Sequence, residues 1–233
     1  MPMISLPHDL EPVWLPTQDE LPYDDGVPME TQRHKWQMDL LIDGLTTWLD
    51  AREDGYVNGN MFVYFSMNQV RNQDFKGPDF FAVVDVPKRE RKSWVVWEEG
   101  KAPDVVIELL SPSTAQYDKT DKKRIYQDKM RVGEYFWYDP FNPDDFAGFV
   151  LRNGLYEPLT CNEQGWLRSD RLNLALVRWL GDYRGIEATW LRWANLDGIV
   201  LPTVQELANL AQQRAEAAEQ EAQAAQQEAQ AAQ

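Results

Sequence analysis

The sequence predicts an α/β domain in which helices flank a mixed β-sheet, followed by a helical C-terminal tail. Short apolar runs with strand composition, such as DFFAVVDV at 79–86, alternate with segments that have helical spacing. Such alternation is typical of α/β domains. From Thr203 onward the chain is nearly all Ala, Gln and Glu, without Gly and with no Pro, which favours a helix.

The individual elements follow from spacing and composition. Apolar residues at helical intervals predict an amphipathic helix over 30–50, and the glycines of 55–59 predict a turn. Strands are predicted over 61–67, 79–86, 91–99 and 103–112. A helix over Tyr117 to Met130, a strand at EYFWYDP and a hairpin turning at Asn153-Gly154 complete the predicted domain.

Three regions divide the chain. We expect an acidic, Pro-rich arm over 1–29, an α/β domain over 30–202, and an Ala/Gln/Glu-rich helical or coiled-coil tail over 203–233. Few large apolar residues occupy heptad positions in the tail, so a solvated helix and a self-associating segment both stay open.

Charge distribution bears on nucleic-acid binding. The net charge of −15 disfavours phosphate binding, but much of it lies in the two terminal regions. Basic residues cluster at 88–92 and 119–131, where either a phosphate-binding surface or an ordinary solvated face would fit.

Several classes of protein are excluded by the sequence. A single cysteine, Cys161, rules out an intramolecular disulfide and predicts a reducing, cytoplasmic location. We find neither a signal peptide nor an apolar run long enough for a membrane helix. Two histidines are too few for a histidine-rich metal site, and nucleotide-binding and nucleophile-elbow motifs are lacking.

The stretch PDVVIELLSP at 103–112 raises the question of how Glu108 is accommodated. An unpaired carboxylate in a buried strand is costly, so it needs an ion-pair partner, a hydrogen-bond network or a metal. Asp104 lies on the same face of this strand, and Asp79 begins another apolar strand. If the two strands are neighbours, Asp79 and Glu108 can hold one hard divalent cation.

Lys122 is the basic residue that we expect to complete this cluster. It lies on the helix after the strand, four residues before Tyr126, so the two side chains share a helix face. Lys122 could orient an attacking water beside a metal, or it could simply form an ion pair with Glu108. The spacing leaves both interpretations open.

The segment from GPDFF to EYFWYDP resembles the Uma-two family, described as putative restriction endonucleases of the PD-(D/E)xK nuclease superfamily. The pieces that carry the resemblance are GPDFF, VVWEE, PDVVIELLSPST, the D-x-x-x-K-x-x-x-Y spacing that ends at Tyr126, and EYFWYDP. The resemblance implies a restriction-endonuclease-like core and a metal-dependent site that cleaves DNA.

The resemblance also implies roles for individual residues. Asp79 and Glu108 would bind Mg²⁺ or Mn²⁺, and Lys122 would position the nucleophile. The superfamily motif expects a lysine at position 110, where this chain has leucine, so the lysine is expected from the helix. Supporting roles fall to Asp104, His34, Lys123 and Tyr126, with Lys123 the alternative to Lys122.

Two functions are therefore compared. The first is a Mg²⁺-dependent endonuclease that hydrolyses DNA, with no membrane association and with a homodimer left open. The second is a catalytically silent interaction protein that keeps the nuclease fold and assembles through its helical tail.

Overall fold

The computed structural model describes residues 15–22, 29, 31–72 and 77–231. A six-stranded mixed sheet forms its centre, with only β5 and β6 parallel to each other. Its strands, in spatial order, are β1 (Asp54–Asn58), β3 (Phe80–Pro87), β5 (Val105–Leu109), β6 (Glu134–Tyr138), β7 (Phe146–Arg152) and β8 (Leu155–Pro158). The predicted α/β class with a mixed sheet and flanking helices is confirmed.

One face of this sheet is covered by helix α1 (Gln32–Asp50) and a second sheet. The second sheet is antiparallel and consists of β9 (Leu167–Ser169), β10 (Leu174–Tyr183) and β11 (Ile186–Ala194). Leucines of α1 pack with Ile107 and Phe136 of the central sheet and with Leu176 and Leu191 of the second sheet. These contacts make a single apolar layer between the two sheets.

The other face is covered by a helix over residues 115–130. It begins as α4 (Ala115–Tyr117) and continues as two π-helical segments, Asp118–Lys122 and Ile125–Met130. Tyr126 and Met130 pack there with the outer side of β3 and β5. A two-stranded parallel pair, β2 (Val63–Tyr64) and β4 (Trp94–Val95), lies beside them, and short helices α2 (Met67–Asn72) and α3 (Val96–Glu99) follow these two strands.

The structure corrects three of the predicted elements. Residues 55–59 belong mainly to strand β1, because Gly55 (φ +105°) makes a bulge against β3 instead of a turn. The predicted strands over 61–67 and 91–99 are reduced to β2 and β4. Each pairs with the other over two residues only, and the chain then turns into α2 and α3.

The hairpin prediction at Asn153-Gly154 is confirmed. Both residues have positive φ, of 50° and 83°, as a two-residue turn between β7 and β8 requires. Arg184-Gly185 makes a similar turn between β10 and β11.

At the C-terminus, helix α5 (Val204–Ala231) extends from the domain for about 42 Å. Its first turn is attached to the domain by Glu206, which forms an ion pair with Arg192 at 2.6 Å. Side chains from Val204 to Gln227 are exposed. None of the helices in the described ranges is long and apolar enough to cross a membrane.

Most of the predicted arm over 1–29 lies outside the described residues. Within 15–22, Leu21 is buried, and Asp19 forms an ion pair with Lys92 at 2.8 Å. The Trp97 indole donates a hydrogen bond to the carbonyl of Pro16. This short segment therefore lies against α3 and the loop that precedes β4.

Gln37 of α1 connects the helix to the second sheet. Its buried side chain donates to the Leu191 carbonyl at 2.8 Å and accepts from the Leu191 N–H at 2.9 Å, so it satisfies the free edge of β11. Gln37→Leu removes both bonds and leaves two buried backbone groups unpaired. We expect the free energy of unfolding to fall by about 2–4 kcal/mol.

Urea unfolding of the purified variant measures this loss. Lys35→Leu, at an exposed position two residues earlier in α1, should change stability by less than about 1 kcal/mol. Equal effects of the two substitutions would contradict the role assigned to Gln37.

Candidate active site

Asp79 and Glu108 meet at one end of the inner strands of the central sheet, where β3 begins and β5 ends. The antiparallel register pairs Phe80 with Ile107, so Asp79, one residue earlier, lies opposite Glu108. The two carboxyl groups are close enough to share a hydrogen bond, and Asp79 Oδ2 accepts the Leu109 backbone N–H at 2.7 Å. The strand neighbourhood that the sequence analysis assumed is thus present.

The helix over 115–130 contributes three more polar side chains. Lys122 Nζ lies 2.9 Å from Glu108 Oε2 and 3.1 Å from Asp118 Oδ1. The Tyr126 hydroxyl donates to Glu108 Oε1 at 2.5 Å. Glu108 is completely buried and Asp118 nearly so, whereas the Lys122 side chain keeps 16% of its surface exposed. We call Asp79, Glu108, Asp118, Lys122 and Tyr126 the carboxylate cluster.

Helix geometry explains why these three residues act together. Asp118, Lys122 and Tyr126 are spaced four apart, so they line one face of the helix. Both π-helical segments contain members of the cluster, and π-helical turns occur frequently at functional sites. Glu108 in turn faces the helix because side chains alternate along β5, and the apolar neighbours Ile107 and Leu109 face α1 instead.

The cluster perturbs the pKa of each of its acids. Burial raises the pKa of Asp79 to about 6, although the Lys122 charge and the Leu109 N–H oppose the shift. Burial also raises the pKa of Glu108 to about 7; the Lys122 charge opposes this shift and the Asp79 charge adds to it. The pKa of Asp118 is raised by burial and then by the charge of Glu108.

Lys122 remains protonated in these surroundings. Burial alone would lower the pKa of its ammonium group, but the carboxylates of Glu108, Asp118 and Asp79 together raise it. One positive charge therefore faces three carboxyl groups. The raised pKa values of the acids arise mainly from burial, which the Lys122 charge opposes without cancelling.

The donor chemistry of the cluster fits a hard divalent cation. Asp79 and Glu108 present only oxygen ligands, and each carboxylate oxygen retains a lone pair beyond the hydrogen bond it accepts. In the described part of the chain, no three His, Cys, Asp or Glu side chains form a ready-made metal cage. Magnesium does not need such a cage, because it is usually held by one or two carboxylates plus waters and substrate oxygens.

His34 lies beside the cluster but does not face it. Its Nε2 hydrogen-bonds the Leu110 carbonyl at 2.9 Å and its Nδ1 lies 2.8 Å from the Thr31 hydroxyl. Because a carbonyl only accepts, Nε2 carries the proton and cannot ligate a metal in this tautomer. His34 therefore holds the end of β5 in place.

Asp104 lies at the other end of β5. Its Oδ2 accepts the Val84 N–H at 2.9 Å and pairs with the Lys101 ammonium at 2.7 Å. Four residues of strand, about 13 Å, separate it from Glu108. Asp104 therefore acts as a cap at the start of β5.

Lys123 points away from the cluster. Its ammonium lies 3.3 Å from the centroid of the Phe149 ring, and burial lowers its pKa. The basic cluster at 88–92 follows β3 and so lies about 25 Å along the strand from Asp79. Neither can act directly at the cluster.

Asp118 is the member that sequence reasoning assigned no role. It belongs to the D-x-x-x-K-x-x-x-Y pattern, and its spacing of four from Lys122 was a usable signal. Only the tertiary contact with Glu108 shows that it adds a third negative charge.

Comparison with known proteins gives one match to a family. The sequence model of the Uma2 family, described as putative restriction endonuclease, matches residues 8–180. No curated protein matches this chain. Among solved structures, the chain is similar to a crystal structure of a putative nuclease belonging to DUF820 from Anabaena variabilis. The sequence identity is 16% and the TM-score 0.46, and the match covers 68% of this chain and 91% of that chain.

Gly59 is required for Asp79 to take its place. A Cβ at this position would lie 2.2 Å from the Asp79 carbonyl and 2.8 Å from Met38, so the backbone would have to move. Gly59→Ala should therefore lower the free energy of unfolding by about 1–3 kcal/mol. Gly77→Ala is the matched control, because its nearest contact would be an ordinary 3.5 Å. Thermal unfolding of the two variants makes the comparison, and similar losses would contradict it.

The raised pKa of Glu108 predicts a pH dependence of stability without metal. Between the ordinary value of 4.5 and about 7, the native state holds a proton that the unfolded chain has released. The free energy of unfolding then falls as pH rises, by up to about 3 kcal/mol across this window. Unfolding in EDTA from pH 5 to 8 should show this fall in wild type and a much smaller one in Glu108→Gln. Parallel curves for the two proteins would refute the assignment.

Proposed function

Because the chain belongs to the Uma2 family of putative restriction endonucleases, we propose that it hydrolyses DNA phosphodiester bonds with the carboxylate cluster and a divalent cation. The observation that supports this proposal is the convergence of three carboxyl groups, of which those of Glu108 and Asp118 are buried, on one lysine at the end of the central strands. A nuclease-like function follows from the family. The dependence on Mg²⁺ or Mn²⁺ and the roles of individual residues belong to the proposal.

Asp79 and Glu108 are the residues that would hold the cation. A bound Mg²⁺ supplies Lewis-acid stabilisation of charge on the phosphate and lowers the pKa of a coordinated water. Asp118 adds negative charge that favours cation binding, and its burial keeps that charge poorly screened. When all three acids are ionised, their charge exceeds that of Lys122 by two, which matches the charge of a divalent ion.

The chain's own residues position the reactants. An ammonium group has three N–H donors, and Lys122 donates one to Glu108 Oε2 while its charge pairs with Asp118 Oδ1 at 3.1 Å. A remaining donor is available to a phosphate oxygen or to the attacking water, since Lys122 is partly exposed. Tyr126 fixes Glu108 by its hydrogen bond, and the Leu109 N–H fixes Asp79. Such prior orientation reduces the reorganisation needed during reaction.

The departure at position 110 fits the same scheme. Leu110 is completely buried, so a lysine at that position would not reach solvent without disturbing the core. Lys122 reaches Glu108 from the helix that crosses this face of the sheet. A lysine from a different element thus takes the place that the superfamily motif gives to the strand.

A second function is favoured by two observations. Lys122 and Glu108 form a direct ion pair at 2.9 Å, the contact that a purely structural pair would make. Helix α5 also exposes Leu207 and Leu210, which could mediate tail self-association in a catalytically silent interaction protein. The two functions differ in whether the cluster binds metal.

Calorimetric titration with Mg²⁺ or Mn²⁺ and nicking of supercoiled plasmid distinguish them. We expect wild type to bind metal and nick DNA. Glu108→Gln should weaken metal binding at least tenfold and abolish nicking, because it removes a ligand charge while keeping the side-chain shape. Lys122→Met should keep metal binding and lose nicking. Asp104→Asn, at the far end of β5, should retain both activities if it remains folded.

A wild-type protein that binds no metal and does not nick DNA, with variants altered only in stability, would overturn the nuclease proposal. The carboxylate cluster would then be a buried structural network, and the interaction protein would be the better interpretation.

A further inference from the structure

Phe141 is exposed at the same end of the strands as the carboxylate cluster. β6 runs parallel to β5 and pairs Glu108 with Trp137 and Leu109 with Tyr138, so the loop after Tyr138 emerges beside the end of β5. Phe141 lies three residues into this loop with 61% of its surface exposed. Single exposed apolar residues are common on protein surfaces, so it is the position of this ring beside the candidate active site that bears on function.

The loop that carries Phe141 is well ordered by hydrogen bonds. Asp139 Oδ1 accepts the backbone N–H groups of Phe141 at 2.8 Å and Asn142 at 3.1 Å. The Asp139 N–H donates to the Asp145 carbonyl, which closes the loop at its base. Phe141 is therefore presented on a fixed turn, and its exposure is a property of the fold.

Contacts connect this ring to the carboxylate cluster. The Phe141 centroid lies 5.8 Å from the ring of His34, and His34 hydrogen-bonds the Leu110 carbonyl. Leu110 is two strand residues, about 7 Å, beyond Glu108. Because bases in a DNA strand are stacked about 3.4 Å apart, Phe141 lies within a few nucleotides of a phosphate bound at the cluster.

The guanidinium group of Arg33 lies beside the exposed Phe141 ring. The Arg33 guanidinium lies 5.4 Å from the Phe141 centroid and 4.9 Å from that of Trp190, and its Nη1 donates to the Pro140 carbonyl. Within the described residues, no carboxylate lies at ion-pair distance from Arg33. Arg33 thus adds positive charge next to an aromatic face.

The acids of the same loop are already engaged. Asp144 pairs with Arg178 at 2.8 Å and Asp145 pairs with Lys119 at 2.5 Å. Asp139 Oδ1 accepts the two backbone N–H groups that fix the turn, which leaves its negative charge in place. The two ion pairs therefore lower the repulsion of a phosphate strand at this rim, and Asp139 still contributes to it.

We propose that Phe141 and Arg33 form a stacking platform for an unpaired nucleobase adjacent to the scissile phosphate. An aromatic ring beside a guanidinium is the combination that binds single-stranded nucleic acid, where the base stacks and the cation contacts the backbone. This inference rests on the proposed nuclease function and assigns its substrate class, namely single-stranded or locally unpaired nucleic acid. Phe141 is a positioning residue in this scheme, since it does not reach the reacting atoms.

Binding of fluorescent oligonucleotides in Ca²⁺ tests the platform, with fluorescence anisotropy as the readout. The probes are a single strand of about 12 nucleotides, the same sequence as a perfect duplex, and a duplex with an unpaired bulge. We expect Phe141→Ala to weaken binding of the single strand and of the bulged duplex by about 5- to 100-fold. Phe141→Trp should retain or improve binding, because it keeps a stacking surface.

Leu155→Ala provides the matched control. Leu155 is exposed to a similar extent, 64%, but it follows the Asn153-Gly154 turn at the opposite end of the strands. Loss of the Leu155 side chain should leave the affinity for all three probes unchanged. A 2-aminopurine base in the single strand gives a second readout, since stacking on Phe141 should quench its fluorescence and Phe141→Ala should remove that quenching.

Three outcomes overturn the platform. If Phe141→Ala binds the probes as tightly as wild type, the platform is refuted. Equal losses of affinity in Phe141→Ala and Leu155→Ala refute it as well. A loss confined to the perfect duplex would identify a wedge between base pairs instead. Metal-dependent nicking that persists in wild type and in Phe141→Ala alike would leave the nuclease proposal standing. A wild type that neither nicks DNA nor binds any probe would remove both.

Discussion

The buried carboxylate of Glu108 is the constraint on which this structure depends. β5 is covered on both faces, so a charge within it has to be met by groups that arrive from another element. Lys122 and Tyr126 come from the helix that follows β5, and both contact Glu108. These contacts and the apolar packing of Tyr126 and Met130 hold that helix across the sheet, and its π-helical turns contain the residues that contact Glu108.

The same cluster is electrostatically incomplete. Three carboxyl groups share one ammonium, and burial raises the pKa of all three acids. A purely structural ion pair has no need of the second and third acids, because each adds desolvation cost without a matching charge. Perturbed acids of this kind are more typical of functional sites, where a bound ligand completes the charge balance.

Parts of the protein far from Glu108 maintain this edge of the sheet. Gln37 joins α1 to β11, and the core between the two sheets holds α1 against β5. His34, one turn earlier on α1, can then hydrogen-bond the Leu110 carbonyl and pack beside Phe141. The second sheet thus contributes to the candidate site by keeping one helix in position.

The sequence by itself determined the mixed α/β class, the hairpin at Asn153-Gly154, and the candidate acids and lysine. These features depend on local patterns: alternation along strands, a turn that demands positive φ, and a spacing of four on a helix. The helix assigned at 117–130 and the strand at 134–140 also follow from such patterns, with small differences in their ends.

Only the tertiary structure decided the rest. The glycine at position 55 predicted a turn, but in the structure it forms a bulge in a strand that pairs with β3. The strands that contain Tyr64 and Trp94 are shorter than predicted because they pair with each other over only two residues. Asp118 and Phe141 became candidate functional residues only because folding places Asp118 beside Glu108 and Phe141 beside His34. The physical reason is common to all of these cases. Register, burial and electrostatic coupling depend on contacts between residues distant in sequence, and the energies of those contacts outweigh the local preferences of the chain.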